Sequence, residues 1–261
     1  MVIAGYGFVG KAHELLFKNW FEDIKIVDPK YNNNSIDDDT KWLVVCVPTP
    51  ERENGACEMR HVYEVVEAAP DHAKILIKST ISLDGWKLLK DTFPQKEICF
   101  SPEFLRASNY MNDVKNLDNI ILSGDYHFWA DQFSIAMPNV KQHIVTPEEA
   151  ILIKYFRNAF LATKVSFFNH IYDMCAATGI DFEQVRIGVA QDSRIGHSHT
   201  IVDPDNGVRG WGGMCFPKDT SALLKMAADN KICLNTLEAA VDYNSSLNKK
   251  TLTNNKLYRI V

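Results

Sequence analysis

The sequence predicts an α/β protein: a doubly wound parallel sheet followed by a long central helix and a small all-helical domain. Three observations carry that expectation. Short, continuously apolar runs alternate with helical patterns through the first 145 residues, as in a sheet buried on both faces. The first run leads at once into a turn with three spaced glycines and then into a helix. From Thr146 a helical pattern continues without a breaker to Thr178, and only short helical stretches and one long loop follow. The domains expected are therefore 1–145, a helical domain over 146–250, and a tail over 251–261.

Composition sets outer limits. A chain of 261 residues that is 46% hydrophobic and 23% charged buries a real core in one large or two ordinary domains. Its net charge of −5 argues against a nucleic acid or an anionic membrane as partner of the surface as a whole. The six cysteines form no C-x-x-C pair and share no metal-ligand spacing with the eight histidines, so neither a disulfide framework nor a metal centre is expected. With no basic leader at Met1-Val2-Ile3 and no apolar run near the roughly 20 residues of a membrane span, the expected setting is the reducing cytoplasm, with the chain mature from its first residue.

The first strand is Val2-Ile3-Ala4, and Gly5-Tyr6-Gly7-Phe8-Val9-Gly10 follows it directly, opening the helical pattern from Ala12 to Phe17. A second strand, Ile24 to Val27, closes on Asp28, about 20 residues beyond the glycines, as a Rossmann-type dinucleotide fingerprint requires. Each residue has its own reason. Gly5 permits the tight turn, Gly7 lets a pyrophosphate approach the backbone and the helix dipole with Phe8 and Val9 beside it, and Gly10 lets helix and strand pack closely. Asp28 accepts ribose hydroxyls and repels a 2′-phosphate, which favours NAD over NADP. A βαβ unit whose glycines serve packing alone is the competing reading.

Further strands are expected at Trp42 to Val47, Ile75 to Lys78, Ile98 to Phe100 and Ile120 to Leu122. Three of them end in Pro48-Thr49-Pro50, Ser79-Thr80 and Ser101-Pro102-Glu103, and the carboxyl ends of such strands line the ligand crevice. Thr80 and Glu103 are placed there by topology, although either residue also suits a helix cap.

Thr146-Pro147-Glu148-Glu149 reads as a capping box with proline at the first helical position, and Gly179 as the C-cap. Such a helix is roughly 45–50 Å long at about 1.5 Å per residue and can join two domains. Lys154 and Asn158 lie one turn apart among apolar and aromatic neighbours, where an ammonium and an amide can stabilise developing negative charge; a solvated helix edge is the plainer alternative.

The loop over 196–213 is rich in Gly, His and Asp and long enough to be functional. Behind it, Gly210-Trp211-Gly212-Gly213-Met214-Cys215-Phe216-Pro217-Lys218-Asp219 presents a cysteine in a glycine-lined bend with a lysine and an aspartate next to it. Asp219-Thr220-Ser221 is expected to N-cap the following helix, placing Cys215 just before its positive end, where a thiol pKa falls toward neutrality. That is how a nucleophile is presented; a small buried hydrophobe in a glycine turn is the other reading.

Taken in order, the glycine turn, Val47-Pro48-Thr49-Pro50, Ser79-Thr80, Ser101-Pro102-Glu103-Phe104-Leu105-Arg106, Lys154-x-x-x-Asn158, Arg194-Ile195-Gly196 and Gly212-Gly213-Met214-Cys215-Phe216-Pro217-Lys218-Asp219 resemble the UDP-glucose 6-dehydrogenase family, over residues 1 to about 245. The resemblance implies a four-electron, NAD-dependent oxidation of a nucleotide sugar at C6, through a thiohemiacetal and a thioester on Cys215. Lys154 and Asn158 match the family's oxyanion stabilisers, and Asp219, Glu103 and Thr80 its water- and proton-handling residues. Thr80, Glu103 and Lys218 match contacts on the cofactor side. Phe104, Leu105, Arg106, His199 and Gly212 match the substrate side, and Arg194 a residue that reaches the neighbouring subunit's substrate. The helix from Thr146 is similar to the family's dimerisation helix, so a homodimer is implied.

Departures from the pattern are as informative. Ala107 stands where a second glutamate is usual, His199 where an aromatic residue packs near the sugar, and the loop before Cys215 is a few residues longer. The family continues into a third, Rossmann-like domain, whereas this sequence stops after a helix near Thr236 to Asn248, as a fragment or a naturally short member. The GDP-mannose branch, a non-catalytic NAD-binding remnant, and a two-electron dehydrogenase of the β-hydroxyacid type are the alternatives.

Overall fold

The computed structural model describes residues 1–253, with side chains through 247. Two compact units divide the chain, one formed by residues 1–52 and 57–154, the other by 53–56 and 155 onward.

The first unit is a seven-stranded sheet. Its strands are β1 (Val2–Ala4), β2 (Lys25–Val27), β3 (Trp42–Val45), β4 (Lys74–Ile77), β5 (Glu97–Phe100), β6 (Asn119–Gly124) and β7 (Lys141–Ile144), in spatial order β2-β1-β3-β4-β5-β6-β7. Chain order reverses between β1 and β3, the switch point at which open α/β sheets bind ligands. Helices α1 (Phe8–Phe17), α2 (Arg60–Ala68), α3 (Leu83–Thr92), α4 (Tyr110–Lys115) and α5 (His127–Ala136) connect the strands. One core is built around Ile3, Val44, Leu76, Cys99 and Leu122 of the sheet with Phe17, Trp129 and Phe133 of the helices, all but fully buried.

Two strands depart from the sequence reading. β6, expected as one more parallel strand, runs antiparallel to β5, and the edge strand β7 parallel to β6 was not anticipated. The reversal has a local cause. Leu105 and Val114 pack with Ala12 of α1, so residues 101–118 stay at the carboxyl end of β5 rather than crossing back over the sheet. β7, with the sequence Lys-Gln-His-Ile and mostly exposed, lacks the apolar run that identified the others.

His13 of α1 is buried, and its Nδ1 lies 2.9 Å from the Val9 carbonyl, which fixes the proton on that nitrogen. Burial, reinforced by the Lys78 ammonium, lowers its pKa to about 3 from 6.5. A histidine neutral in the folded state and protonated in the unfolded chain contributes stability that is complete above pH 6.5 and is lost as pH falls toward 3. Urea midpoints measured from pH 7 to 4 should therefore fall steeply in the wild type and less steeply in His13→Gln.

The second unit is helical. It contains most of α6 (Pro147–Thr178), with α7 (Phe182–Ala190), α8 (Phe216–Asp229) and α9 (Asn235–Thr253). The capping box forms as read: the Thr146 amide donates to Glu149 Oε2 at 2.8 Å and the Glu149 amide to Thr146 Oγ1 at 3.2 Å. Gly179, with φ +72°, ends the helix, and the Ile180 amide reaches back to the Cys175 carbonyl. The last helix is longer than its sequence suggested, so 251–253 are helical rather than tail, and 254–261 lie outside the described residues.

The loop ahead of α8 is tied to two helices by amide and hydroxyl groups. Asn244 of α9 accepts from the Trp211 amide at 2.7 Å and donates to the Trp211 carbonyl at 2.9 Å. Asn169 of α6 accepts from the Gly210 amide and from Arg209 Nε, while the Trp211 indole donates to Ser166 Oγ. Gly210 has φ +70°, and a Cβ there would run into the Asn244 side-chain oxygen. Gly210→Ala should destabilise the second unit by about 2–4 kcal/mol, combining left-handed strain with loss of the Asn244 clamp, as read by urea denaturation.

Candidate functional site

At the switch point the glycine turn has the geometry its spacing suggested. Gly5 adopts φ +88° and a Cβ on it would meet the Cys46 carbonyl; one on Gly10 would meet the Gly5 carbonyl, whereas nothing lies within 4 Å of the position at Gly7. Helix α1 starts at Phe8, so the unbonded amides of Phe8, Val9 and Gly10 open toward the turn. Asp28, one residue past β2, accepts from the Tyr6 amide at 2.6 Å and from the Lys30 amide at 2.8 Å. A carboxylate has about four acceptor positions, so hydroxyl donors can still be received.

The next strand ends converge on Glu103. Ser79 Oγ donates to the Val47 carbonyl at 2.7 Å, leaving Thr80 half-buried at the end of β4. Glu103 Oε2 accepts from the Leu105 amide at 2.8 Å, and its Oε1 lies 3.3 Å from Lys154 Nζ, which also donates to the Glu103 backbone carbonyl. Lys154 is 3% exposed and its ammonium lies 5.1 Å from the Phe104 ring centroid. The same segment separates the sequence-predicted residues. Leu105 turns its side chain into the core with Ala12 and Val114, so only its backbone is available to a ligand, and Arg106 is exposed and doubly bonded to Asp113.

In the second unit, α8 begins four residues earlier than an N-cap at Asp219 suggested, and Cys215 itself is the N-cap residue. Pro217 sets the second position of the first turn, where its missing N–H costs nothing. The Asp219 carboxylate does not turn back to cap amides; fully buried, it accepts from Asn158 Nδ2 at 2.5 Å and from Lys218 Nζ. Cys215 is half-buried at the positive end of a 14-residue helix, the position at which backbone N–H groups favour a thiolate. No disulfide takes up any of the six cysteines.

Around Cys215, Gly212 is half-buried, and the His199 ring lies 5.8 Å from the Phe216 ring with its own backbone at φ +60°, uncommon for a residue with a side chain. Arg194 stands 87% exposed and is held by Asp192, two residues away. Among the described residues no group of three His, Cys, Asp or Glu is arranged to hold a metal, and no helix is long and apolar enough to cross a membrane.

Sequence reasoning overlooked Lys78 and Asn244. Lys78, one residue past β4, is 5% exposed and donates to Ser101 Oγ at 2.8 Å. A lysine closing the apolar run Ile75-Leu76-Ile77 was the available signal. Asn244, on an otherwise ordinary helical stretch, gave none.

Residues 30–132 match the NAD binding domain of the UDP-glucose/GDP-mannose dehydrogenase family, and residues 148–246 match the family's central domain. A UDP-glucose 6-dehydrogenase of Bacillus subtilis is 31% identical over 218 residues, covering 77% of this chain and 46% of that protein. One of Rickettsia bellii is 32% identical over 218 residues, covering 78% of this chain and 49% of its own. The chain thus spans about half the length of the curated relatives it matches. Among solved structures, a UDP-glucose dehydrogenase from Pyrobaculum islandicum superposes with a TM-score of 0.80 at 22% identity, over 94% of this chain and 67% of that one, which shows the shared fold. With both of its domains matched in order, the chain belongs to the UDP-glucose/GDP-mannose dehydrogenase family.

Proposed function

We propose that this chain carries the NAD-binding and catalytic parts of a nucleotide-sugar 6-dehydrogenase, and that its substrate is UDP-glucose, oxidised to UDP-glucuronate. The carrying observation is Cys215 at the N-cap of α8, with Asp219 in the same first turn bound to Asn158 and Lys218. The open space at Gly7 and the first-turn amides of α1 behind it fit a pyrophosphate, and Asp28 fits the adenosine ribose, so Gly5, Gly7, Phe8, Val9, Gly10 and Asp28 are the residues that would hold NAD. Thr80, Glu103 and Lys218 are assigned to its nicotinamide side. When bound, NAD+ takes a hydride from the sugar C6 in each of two successive oxidations.

The protein's own chemistry lies between and after those oxidations. The Cys215 thiolate adds to the C6 aldehyde, forming a C–S bond while the carbonyl oxygen becomes an alkoxide that takes up a proton. Oxidation of that thiohemiacetal leaves a thioester, and water attacks it, releasing the carboxylate and returning the thiol. Lys154 and Asn158, four residues apart on α6, are assigned to the negative oxygen at both stages. Glu103 and Asp219, each already hydrogen-bonded to one of that pair, are the groups that receive and return protons and orient the water. Phe104, the Leu105 backbone, Arg106, His199 and Gly212 are assigned to the substrate, and Arg194 to the substrate of a partner subunit.

The proposed partner is a second copy. Phe156, Phe160, Phe167 and Met174 form one stripe on α6 and are each at least 48% exposed, which is unusual for large apolar side chains on one helix face. Sedimentation should give a dimer for the wild type and a monomer for Phe160→Asp/Phe167→Asp; a wild-type monomer at tens of micromolar, well above the Kd of an ordinary homodimer, overturns the assignment.

The reaction is tested by counting NADH against a panel of UDP- and GDP-sugars. Two NADH per UDP-glucose are expected, and Cys215→Ser should release no uronate. Complete double oxidation by that variant would remove Cys215 from the mechanism, and preference for a GDP-sugar would move the substrate.

A further inference from the structure

Lys78 has no place in the reaction just described, yet it is a lysine with almost no exposed surface. Its ammonium makes one hydrogen bond, to Ser101 Oγ at 2.8 Å, and lies 5.8 Å from the centroid of the Phe133 ring. The charged and titratable groups facing it are His13 on α1, Cys46 after β3, Cys99 on β5, Glu103 beyond β5, and Lys154 on α6. Of these Glu103 alone brings a negative charge: burial raises the Cys46 and Cys99 thiols to about 12, leaving them neutral, and His13 is neutral as well. A buried ammonium without a counter-charge is strongly unfavourable, so Lys78 and Glu103 depend on one another. The cavity beside them is lined by both residues together with His13, Pro102, Phe104 and Leu105.

The turn Ser101-Pro102-Glu103 is therefore held at two points by two lysines. Lys78 fixes its start through the Ser101 hydroxyl, and Lys154 fixes its end through the Glu103 carbonyl and carboxylate. We infer that Lys78 is a positioning residue that acts through Ser101 and Glu103, holding the Glu103 carboxylate aimed at Lys154. The inference rests on the assignment of Glu103 and Lys154 to the reaction proposed above.

Burial lowers the Lys78 pKa to about 8 from its ordinary 10.5, the Glu103 carboxylate opposing part of that shift. The proton is thus lost from the folded protein in the alkaline range while the unfolded chain keeps it to about 10.5. Between those values wild-type stability should gain on that of Lys78→Met, because the cost of burying the charge is relieved.

The test uses the full chain as wild type, Lys78→Met, Ser101→Ala, Glu103→Gln and the Lys78→Met/Glu103→Gln double variant, with urea unfolding and NADH production from UDP-glucose measured from pH 6.5 to 10. Lys78→Met should fold, lower kcat about tenfold or more with KM within about threefold, and lose the alkaline fall in kcat that the wild type shows above about pH 8. Ser101→Ala should lose part of kcat and keep that alkaline fall. In the Glu103→Gln background, Lys78→Met should change kcat less than about twofold, and the unfolding equilibria should couple by about tenfold. Wild-type kcat and pH profile in Lys78→Met, or the same loss with and without Glu103, overturns the inference. So does an unfolded Lys78→Met together with a fully active Ser101→Ala, since the lysine then serves packing alone. If the wild type oxidises no nucleotide sugar, the preceding proposal fails on its own, and the unfolding cycle still decides: coupling supports the Lys78–Glu103 pair and additivity overturns it.

Discussion

Lys154 and Asn158 lie on one helix, one turn apart and almost without solvent, and neither tolerates that burial unpaired. An unsatisfied buried amide costs about 1–3 kcal/mol and an unpaired buried ammonium more. Each is met by a carboxylate: Glu103 comes to Lys154 from the end of β5, and Asp219 comes to Asn158 from the first turn of α8. This requirement explains local features that would otherwise be unrelated. Residues 101–118 remain at the carboxyl end of the sheet, ahead of the antiparallel β6, and α8, with Cys215 as its N-cap, has its aspartate engaged with Asn158 rather than with cap amides.

The segment before Cys215 obeys a related rule. Gly210, Gly212 and Gly213 bring no side chain to bury, so packing alone cannot fix the turn; its backbone amides must find partners. Asn244 and Asn169 supply them, Asn244 both accepting from and donating to Trp211 as a neighbouring strand would. The Trp211 ring then joins Ala162 and Val165 in the unit's small core, with its indole N–H satisfied by Ser166. Helix α9 thus helps to place the cysteine while contributing no residue to the proposed chemistry.

What the sequence revealed and what it concealed follow the range of the interactions. The glycine turn, the capping box, the end of α6 at Gly179 and the first five strands of the buried sheet are written in residues close together along the chain, and each forms where it was read. The misplacements are tertiary. Asp219 looks like an N-cap until Asn158, 61 residues away, takes its carboxylate. Leu105 belongs to a substrate-lining segment by resemblance, yet its side chain packs beneath α1. Lys78 and Asn244 escaped notice because a lysine ending a strand and an asparagine on a helix look ordinary until their partners 23 and 33 residues away are known.

Helix α6 also departs from the usual arrangement of a surface helix. Ordinarily the apolar stripe faces inward and polar residues face water. Here Lys154, Asn158, Ser166 and Asn169 are buried, while Phe156, Phe160, Phe167 and Met174 are exposed. The apolar character is spread around the helix, so no single buried face accounts for it. A helix of this kind is stable on both counts only if its inner polar groups are all paired and its outer aromatic stripe is covered. For the four buried polar residues just named the first condition is met within the chain by Glu103, Asp219, Ala240 and the loop at Arg209 and Gly210. In the proposed homodimer a second α6 would meet the other condition, since a twofold axis sets the same stripe against itself.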